Sequence, residues 1–213
     1  MKELQNFGKE YYDNIMIPSA NLKTSQFQSR AKFLVDKFSP SNVLDIGCGM
    51  GYFVKYLRDL NINAYGIDVS EYAISLSPKE NRKYLAVSNV EKDELPLPDN
   101  TKAWDVITMF DVVEHLHDPE TLLRKISPII KPSGLVFVNT PTKFVNSRAY
   151  LMMIGNFRTK PDPTHINVHD RPYWIKAFRN YNFQHMGTFA WEGDCKISHS
   201  WTGKILQSIP IGE

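Results

Sequence analysis

Cysteine is scarce in this chain of 213 residues. Only Cys48 and Cys195 occur, and no Asn-x-Ser/Thr acceptor is present, so nothing points to a disulfide-stapled or glycosylated exterior. A reducing cytoplasm is the compartment this predicts. Long apolar runs are also missing: no stretch approaches the roughly eighteen residues of a membrane span, and the opening MKELQNFGKEYYDNIM lacks the apolar centre of a leader. Neither a signal peptide nor a membrane partner is expected. An excess of one charge is absent as well, since 25 basic residues face 23 acidic ones for a formal +2. Nucleic-acid binders usually carry a basic excess or stripe, so no nucleic-acid partner is expected. No repeat or low-complexity run occurs, which excludes solenoids and arrays.

What remains is ordinary globular material: 42% apolar and 23% charged residues, enough to bury a sizeable core in one domain. Short apolar strands alternate with amphipathic stretches. Val43 to Ile46 precedes a glycine turn and a helix with Phe53, Val54, Leu57 and Leu60 on one face; Ala64 to Ile67 is a second strand, followed by Ser70 as a helix cap. Lys83 to Ser88 and the near-continuous apolar run Trp104 to Phe110 are the third and fourth. Asp118, Pro119 and Glu120 form a helix start, the stripe Leu122, Leu123, Ile126, Ile130 follows, and Lys131 to Gly134 stops it. Leu135 to Val138 is a fifth strand, Pro172 to Tyr181 a helix, and Phe183 to Trp191 a sixth strand, pairing antiparallel with something in 196–209. Such alternation predicts an open, mostly parallel α/β sheet with helices on both faces, binding ligands outside the carboxyl ends of its strands. Residues 1–38 and 141–171 fall outside the alternation and are read as a helical cover and a substrate-covering insertion over those strand ends. The latter holds Arg148, Tyr150, Met152, Met153, Phe157, Arg158 and Lys160.

The turn after the first strand is the most informative segment. Val43 to Gly51 reads VLDIGCGMG. Glycines let the backbone turn tightly and a ligand approach its amides, and the following helix offers its positive N-terminus. Asp68 ends the next strand, 68 − 45 = 23 residues after Asp45, where an acid can accept both hydroxyls of a ribose. The G-x-G-x-G spacing differs from the G-x-G-x-x-G of pyrophosphate-binding turns, which favours a nucleoside ligand without phosphates.

Five segments in this order, Asp45–Gly51, Tyr65–Ser70 (YGIDVS), Leu95–Asp99 (LPLPD), Trp104–Ile107 (WDVI) and Asp111–Pro119 (DVVEHLHDP), resemble the ordered motifs of class I S-adenosylmethionine-dependent methyltransferases of the small-molecule type. The similarity runs from about Val43 to Thr140, and more loosely from His165 to Phe183. It implies a Rossmann-like, seven-stranded sheet within one domain over residues 1–213; an incomplete last strand and a truncated chain both remain open. It also implies S-adenosylmethionine as cofactor, with S-adenosylhomocysteine as product. On this resemblance Gly47, Gly49 and Gly51 pack against the methionine part and ribose, while Asp45 orients the loop or accepts from the cofactor's amino group. Asp68 takes the ribose hydroxyls, with Val69 beside it. Asn89 and Val90 stand where members usually carry an acid and a small apolar residue at the adenine, and the Phe110 backbone lies beside the methionine moiety.

The sulfonium is already an activated donor, so holding the acceptor in line dominates: oriented reactants reach effective molarities of about 10⁵ to 10⁸ M, whereas a positioned base adds about 10² to 10⁴. Two histidines are candidates for catalysis. His115 follows the fourth strand and makes either a substrate contact or a structural hydrogen bond in the turn; His165 sits in the covering insertion as a base or as a tie for that segment. Asp111, Glu114 and His115 match the acid-x-x-Glu-His by which some methyltransferases hold a divalent metal, but Pro119 stands at the expected fourth ligand, so no metal is expected. The reaction these residues favour is methyl transfer to a small-molecule acceptor, at oxygen before nitrogen or carbon. The alternatives are an NAD(P)-dependent oxidoreductase and a non-catalytic S-adenosylmethionine-binding partner subunit. Oligomeric state is not readable.

Overall fold

The computed structural model describes residues 7–16, 20–95, 103–143, 162–192, 196–198 and 205–210 of the chain. A short α1 (Lys9–Tyr11) runs into a π-turn (Tyr12–Met16), and α2 spans Ala20–Phe38. The alternation then unfolds as β1 (Asn42–Ile46), α3 (Tyr52–Asp59), β2 (Asn63–Asp68), α4 (Glu71–Ser75), β3 (Leu85–Val87), β4 (Trp104–Phe110), α5 (Pro119–Ile126) and β5 (Ile130–Asn139). The helix α6 (Arg171–Arg179) and strands β6 (Phe183–Glu192), β7 (Lys196–Ser198) and β8 (Ile205–Pro210) complete it.

The sheet order is β3-β2-β1-β4-β5-β8-β6-β7. The first five strands are mutually parallel, β8 enters antiparallel between β5 and β6, and the order reverses between β1 and β4. That reversal opens a crevice at the strand ends. Eight strands rather than seven are present among the described residues. The additional one is the three-residue β7, which returns on the end of β6 through Trp191↔Ile197.

Two boundaries differ from expectation for local reasons. The third strand begins at Leu85 because Arg82–Tyr84 winds into a 3₁₀ turn. The stop signal Lys131 to Gly134 lies inside β5, where Trp104 pairs with Ile130 and Val106 with Leu135, so the intervening residues are looped out of register. Exposed Pro132 and Ser133 occupy that irregularity, the usual place for a proline in a sheet.

Two apolar layers sandwich the sheet. One gathers Leu44, Ile107, Met109, Leu122, Ile126, Trp174 and Phe178 with Trp104, all buried. The other joins Ala31 and Leu34 of α2 to Val43, Phe53, Leu57, Val106 and Phe137. Of the cover expected over 1–38, residues 20–38 are therefore part of the helical layer. The helix start at Pro119 is as the sequence indicates: the Asp118 carboxylate accepts from the Glu120 and Thr121 amides and Pro119 occupies the first turn. Asp118→Ala should lower the free energy of unfolding by about 1 kcal/mol, measured by denaturant titration.

Candidate active site

The end of β1 carries the glycine turn. Gly47 and Cys48 both donate to the Ile67 carbonyl, at 2.8 and 3.0 Å, which folds the turn across the end of β2. Gly47 has φ +74°, and a Cβ there would stand 2.3 Å from Val112 Cγ2, so this position tolerates no side chain. Gly49, at φ +53°, lies under Tyr12, whose hydroxyl would be 3.5 Å from an added Cβ. Gly51 is the N-cap of α3 and offers no side-chain cap, leaving the helix's first amides without one. Cys48 is half-buried, with Gly66 making room for it, and burial pushes its thiol up; it is a packing residue.

Asp68 ties this turn to β2. Its Oδ2 accepts from the Gly49 amide at 2.7 Å and its Oδ1 from the Ser70 amide at 2.8 Å. The carboxylate is buried, and burial outweighs the two amides, so its pKa lies above the usual range. Asp45 makes no such contact with the loop: its Oδ1 accepts from Thr108 Oγ1 at 2.6 Å across the β1–β4 pair. Orienting the turn therefore falls to Asp68. Desolvation raises Asp45 to about 7, with the Thr108 hydroxyl acting against it. Asn89 is engaged in its own turn, its Oδ1 accepting from the Glu91 amide at 3.0 Å while Asp93 accepts from the Asn89 amide. Val69 is half-buried and Val90 buried beside these groups. The Phe110 ring packs on Phe53 at 5.2 Å and under the Arg30 guanidinium at 4.7 Å, on the α2 side of the sheet.

Residues 7–14 lie over the turn. Tyr12 is buried beside Gly49 and Asp68, and desolvation followed by the Asp68 charge holds its hydroxyl protonated. Lys9 pairs with Asp13, and the Tyr72 hydroxyl donates to Asp13 at 2.8 Å, fastening this segment to α4.

The end of β4 carries the second half of the site. Asp111 is held at φ +56°, a strained conformation for a residue with a side chain, and accepts from Asn139 Nδ2 at 2.9 Å. The 3₁₀ turn Val113–His115 follows. The insertion returns to this turn at 162–170: His115 Nδ1 meets the Thr164 carbonyl at 3.1 Å, and the Asn167 amide donates to the Glu114 carbonyl at 2.9 Å. These contacts bring the rings of His115 and His165 to 4.8 Å, with Phe7 at 5.2 Å from His115. Burial lowers both histidine pKa values, and Asp162 opposes it in each. His117 is exposed beside Glu91, and His169 stacks on Tyr173 at 3.6 Å, so neither joins the pair. Arg148, Tyr150, Met152, Met153, Phe157, Arg158 and Lys160 lie outside the described residues. Tyr12, one of the aromatic residues of the covering segments that the sequence offers as a wall for an acceptor, is placed against the turn by a long-range contact, whereas nothing in the linear pattern marks Asp162.

An open parallel sheet with a glycine turn after β1, an acid ending β2 and a reversal between β1 and β4 defines a class I S-adenosylmethionine-dependent methyltransferase domain. The comparisons agree. Residues 21–186 match the family described as "Methyltransferase domain", and the chain belongs to that family. The ubiquinone biosynthesis O-methyltransferase of Colwellia psychrerythraea is 29% identical over 133 residues, 60% of this chain and 54% of that protein. The chain spans about half the length of the curated relatives it matches. Among solved structures, the magnesium protoporphyrin IX methyltransferase of Synechocystis PCC 6803 with bound S-adenosylhomocysteine superposes with a TM-score of 0.68 at 14% identity, covering 97% of each chain. A SAM-dependent methyltransferase from Archaeoglobus fulgidus gives 0.69 at 20% identity over 92% of this chain and 99% of that one. The family match sets aside the nicotinamide alternative. No helix among the described residues is long and apolar enough to cross a membrane.

Asp45 generates a pH prediction. Its folded-state pKa of about 7 exceeds the ordinary 3.8, so between those values the folded chain holds a proton that the unfolded chain releases, and stability falls as pH rises through that window. Relative to Asp45→Asn, the wild type should lose on the order of 4 kcal/mol of unfolding free energy between pH 4 and 7, at about 1.4 kcal/mol per pKa unit. Parallel denaturant titrations across that range check it; equal slopes would contradict it.

Proposed function

We propose that the chain transfers a methyl group from S-adenosylmethionine to a hydroxyl of a small-molecule acceptor. The observation that carries this is the hydrogen bond from the Gly49 amide to Asp68, which fixes the glycine turn and a buried carboxylate as one unit at the strand ends. The residues fit the cofactor. Each Asp68 oxygen accepts one backbone N–H and keeps acceptor capacity for a ribose hydroxyl. Gly47, Gly49 and Gly51 form the backbone wall, Asp45 lies behind it for the cationic amino group, and Val69, Asn89, Val90 and Phe110 complete the lining. When bound, the cofactor supplies a methyl group activated by its sulfonium. The protein's part is to exclude water with Tyr12 and the segment around it, and to hold the acceptor where His115 and His165 reach its hydroxyl. The relatives' description as O-methyltransferases supports oxygen as the acceptor atom. We also propose one domain over residues 1–213, in which residues 7–14 and the 141–171 insertion close over the acceptor.

Asp68→Ala should weaken S-adenosylhomocysteine binding by about 1.5 to 3 kcal/mol in calorimetric titration, the range for hydrogen bonds to a charged group; an unchanged affinity would contradict the placement. His165→Ala should lower kcat for a phenolic acceptor far more than it alters S-adenosylhomocysteine affinity, and equal losses would remove it from the acceptor side. Tight cofactor binding without turnover on a broad panel of hydroxylated acceptors would favour the non-catalytic partner reading.

A further inference from the structure

The turn Gly47–Gly51 holds three glycines at positive φ, +74°, +53° and +71°. Glycine loses more conformational freedom on ordering than any other residue, so the shape of this turn has to be imposed by its surroundings. The end of β2 imposes it at the entrance and the middle, through the Ile67 carbonyl and the Asp68 carboxylate. The exit is held by a different part of the chain. Asn81, in the connection between α4 and β3, is 3% exposed. Its Nδ2 donates to the Gly51 carbonyl at 2.9 Å and to Ser77 Oγ, also buried, at 3.2 Å. The Gly51 carbonyl can only accept, which fixes the end of the amide that faces the turn. The Asn81 backbone is itself anchored, its N–H donating to the Pro78 carbonyl at 2.9 Å and its carbonyl accepting from the Tyr84 amide at 3.0 Å. The approach is close: a Cβ on Gly51 would stand 2.8 Å from Asn81 Nδ2 and 2.6 Å from Leu85 Cδ1.

We propose that Asn81 is a positioning residue for the cofactor, acting through Gly51. The peptide joining Gly51 to Tyr52 is planar and trans, so a fixed carbonyl also fixes the direction of the Tyr52 N–H at the start of α3. Two local bonds, from the Gly51 amide to the Cys48 carbonyl at 2.8 Å and from the Lys55 amide to the Gly51 carbonyl at 2.9 Å, travel with the turn and the helix. They give the turn its shape without tying it to the rest of the fold. Asn81 supplies that tie from outside β2. In its absence a ligand has to order the exit of the turn as it binds, and the affinity falls by what the lost hydrogen bond contributed. This inference rests on the reading of the glycine turn as the cofactor site and deepens it.

The test is calorimetric titration of the full chain with S-adenosylhomocysteine. Asn81→Leu keeps the approximate size and branching of the side chain and removes the donor. It should weaken binding roughly threefold to tenfold, as expected for the net contribution of one buried hydrogen bond. Steady-state kinetics should place the loss in KM for S-adenosylmethionine and leave kcat unchanged. Lys79→Ala, on the exposed side of the same connection, should alter neither. A merely structural role would lower the unfolding free energy of the unliganded chain, measured separately by denaturant titration, and leave the affinity of the folded protein intact; that outcome overturns the proposal. Should Asn81→Leu fail to fold, Asn81→Ala, which removes the donor without filling its place, decides by the same titration. Wild type that fails to bind S-adenosylhomocysteine sinks the reading of the turn as the cofactor site, whereas wild-type binding with an unaltered affinity in the variant sinks only the role of Asn81.

Discussion

The bond from the Gly49 amide to the Asp68 carboxylate is the constraint on which the rest of the site depends. Parallel pairing of β1 with β2 delivers the turn and the acid to the same edge of the sheet, in the register Ile46↔Ile67. The Ile67 carbonyl takes two amides of the turn and Asp68 takes a third. Backbone donors that would otherwise fan into solvent are thereby fixed around a buried negative charge. That charge is tolerated because hydrogen bonds to an ionised acceptor are stronger than neutral ones. It is still under-compensated, as its raised pKa records. A ligand presenting hydroxyl donors lowers that cost, so the affinity of the crevice is prepared in the apo fold.

The second half of the site is assembled by a different device. Nothing in the sheet register brings His165 to His115. The insertion is stitched to the post-β4 turn by the Asn167 amide, which donates to the Glu114 carbonyl, and by the His115 ring against the Thr164 carbonyl, and the strained Asp111 turns the chain sharply enough to meet it. Side chains share in the joining, since Asn167 Nδ2 also donates to the Leu116 carbonyl at 3.2 Å. The cofactor half is scaffold and the acceptor half is loop, the usual partition between rigid framework and variable specificity.

How much of this was legible in the sequence follows the same division. The strand-turn-helix at Val43 to Leu57 was readable because period-2 and period-3.6 patterns meet at glycines, and Asp68 because its distance from Asp45 counts residues along one crossover. The helix start at Asp118 was readable for the same local reason. Asp45 was placed by its motif but not in its bonding, because its partner Thr108 lies across a strand pairing that no local pattern encodes. Asn89 shows the converse: a position defined by family likeness turns out to spend its carbonyl on an Asx turn. Glu114 sits in an apolar run, Val112 to Leu116, which signals burial. The meaning of a buried acid there depends on what arrives from 51 residues away (165 − 114 = 51), and only the fold supplies that.

Buried acids recur at this strand edge: Asp45, Asp68 and Glu114 are all nearly inaccessible, and burial raises the pKa of all three. A fold selected only for stability would replace at least one with an apolar group of similar size, since desolvation of an unpaired carboxylate outweighs what a single hydrogen bond returns. Without a ligand their raised pKa values favour the protonated forms, and a cation placed beside them favours the ionised ones. The strand edge therefore favours positively charged occupants over anionic ones. It suits a sulfonium with an α-amino group, and it disfavours the phosphates that a pyrophosphate-binding turn would welcome. The discrimination between those ligand classes is thus written in the placement of three carboxylates as much as in the spacing of the glycines.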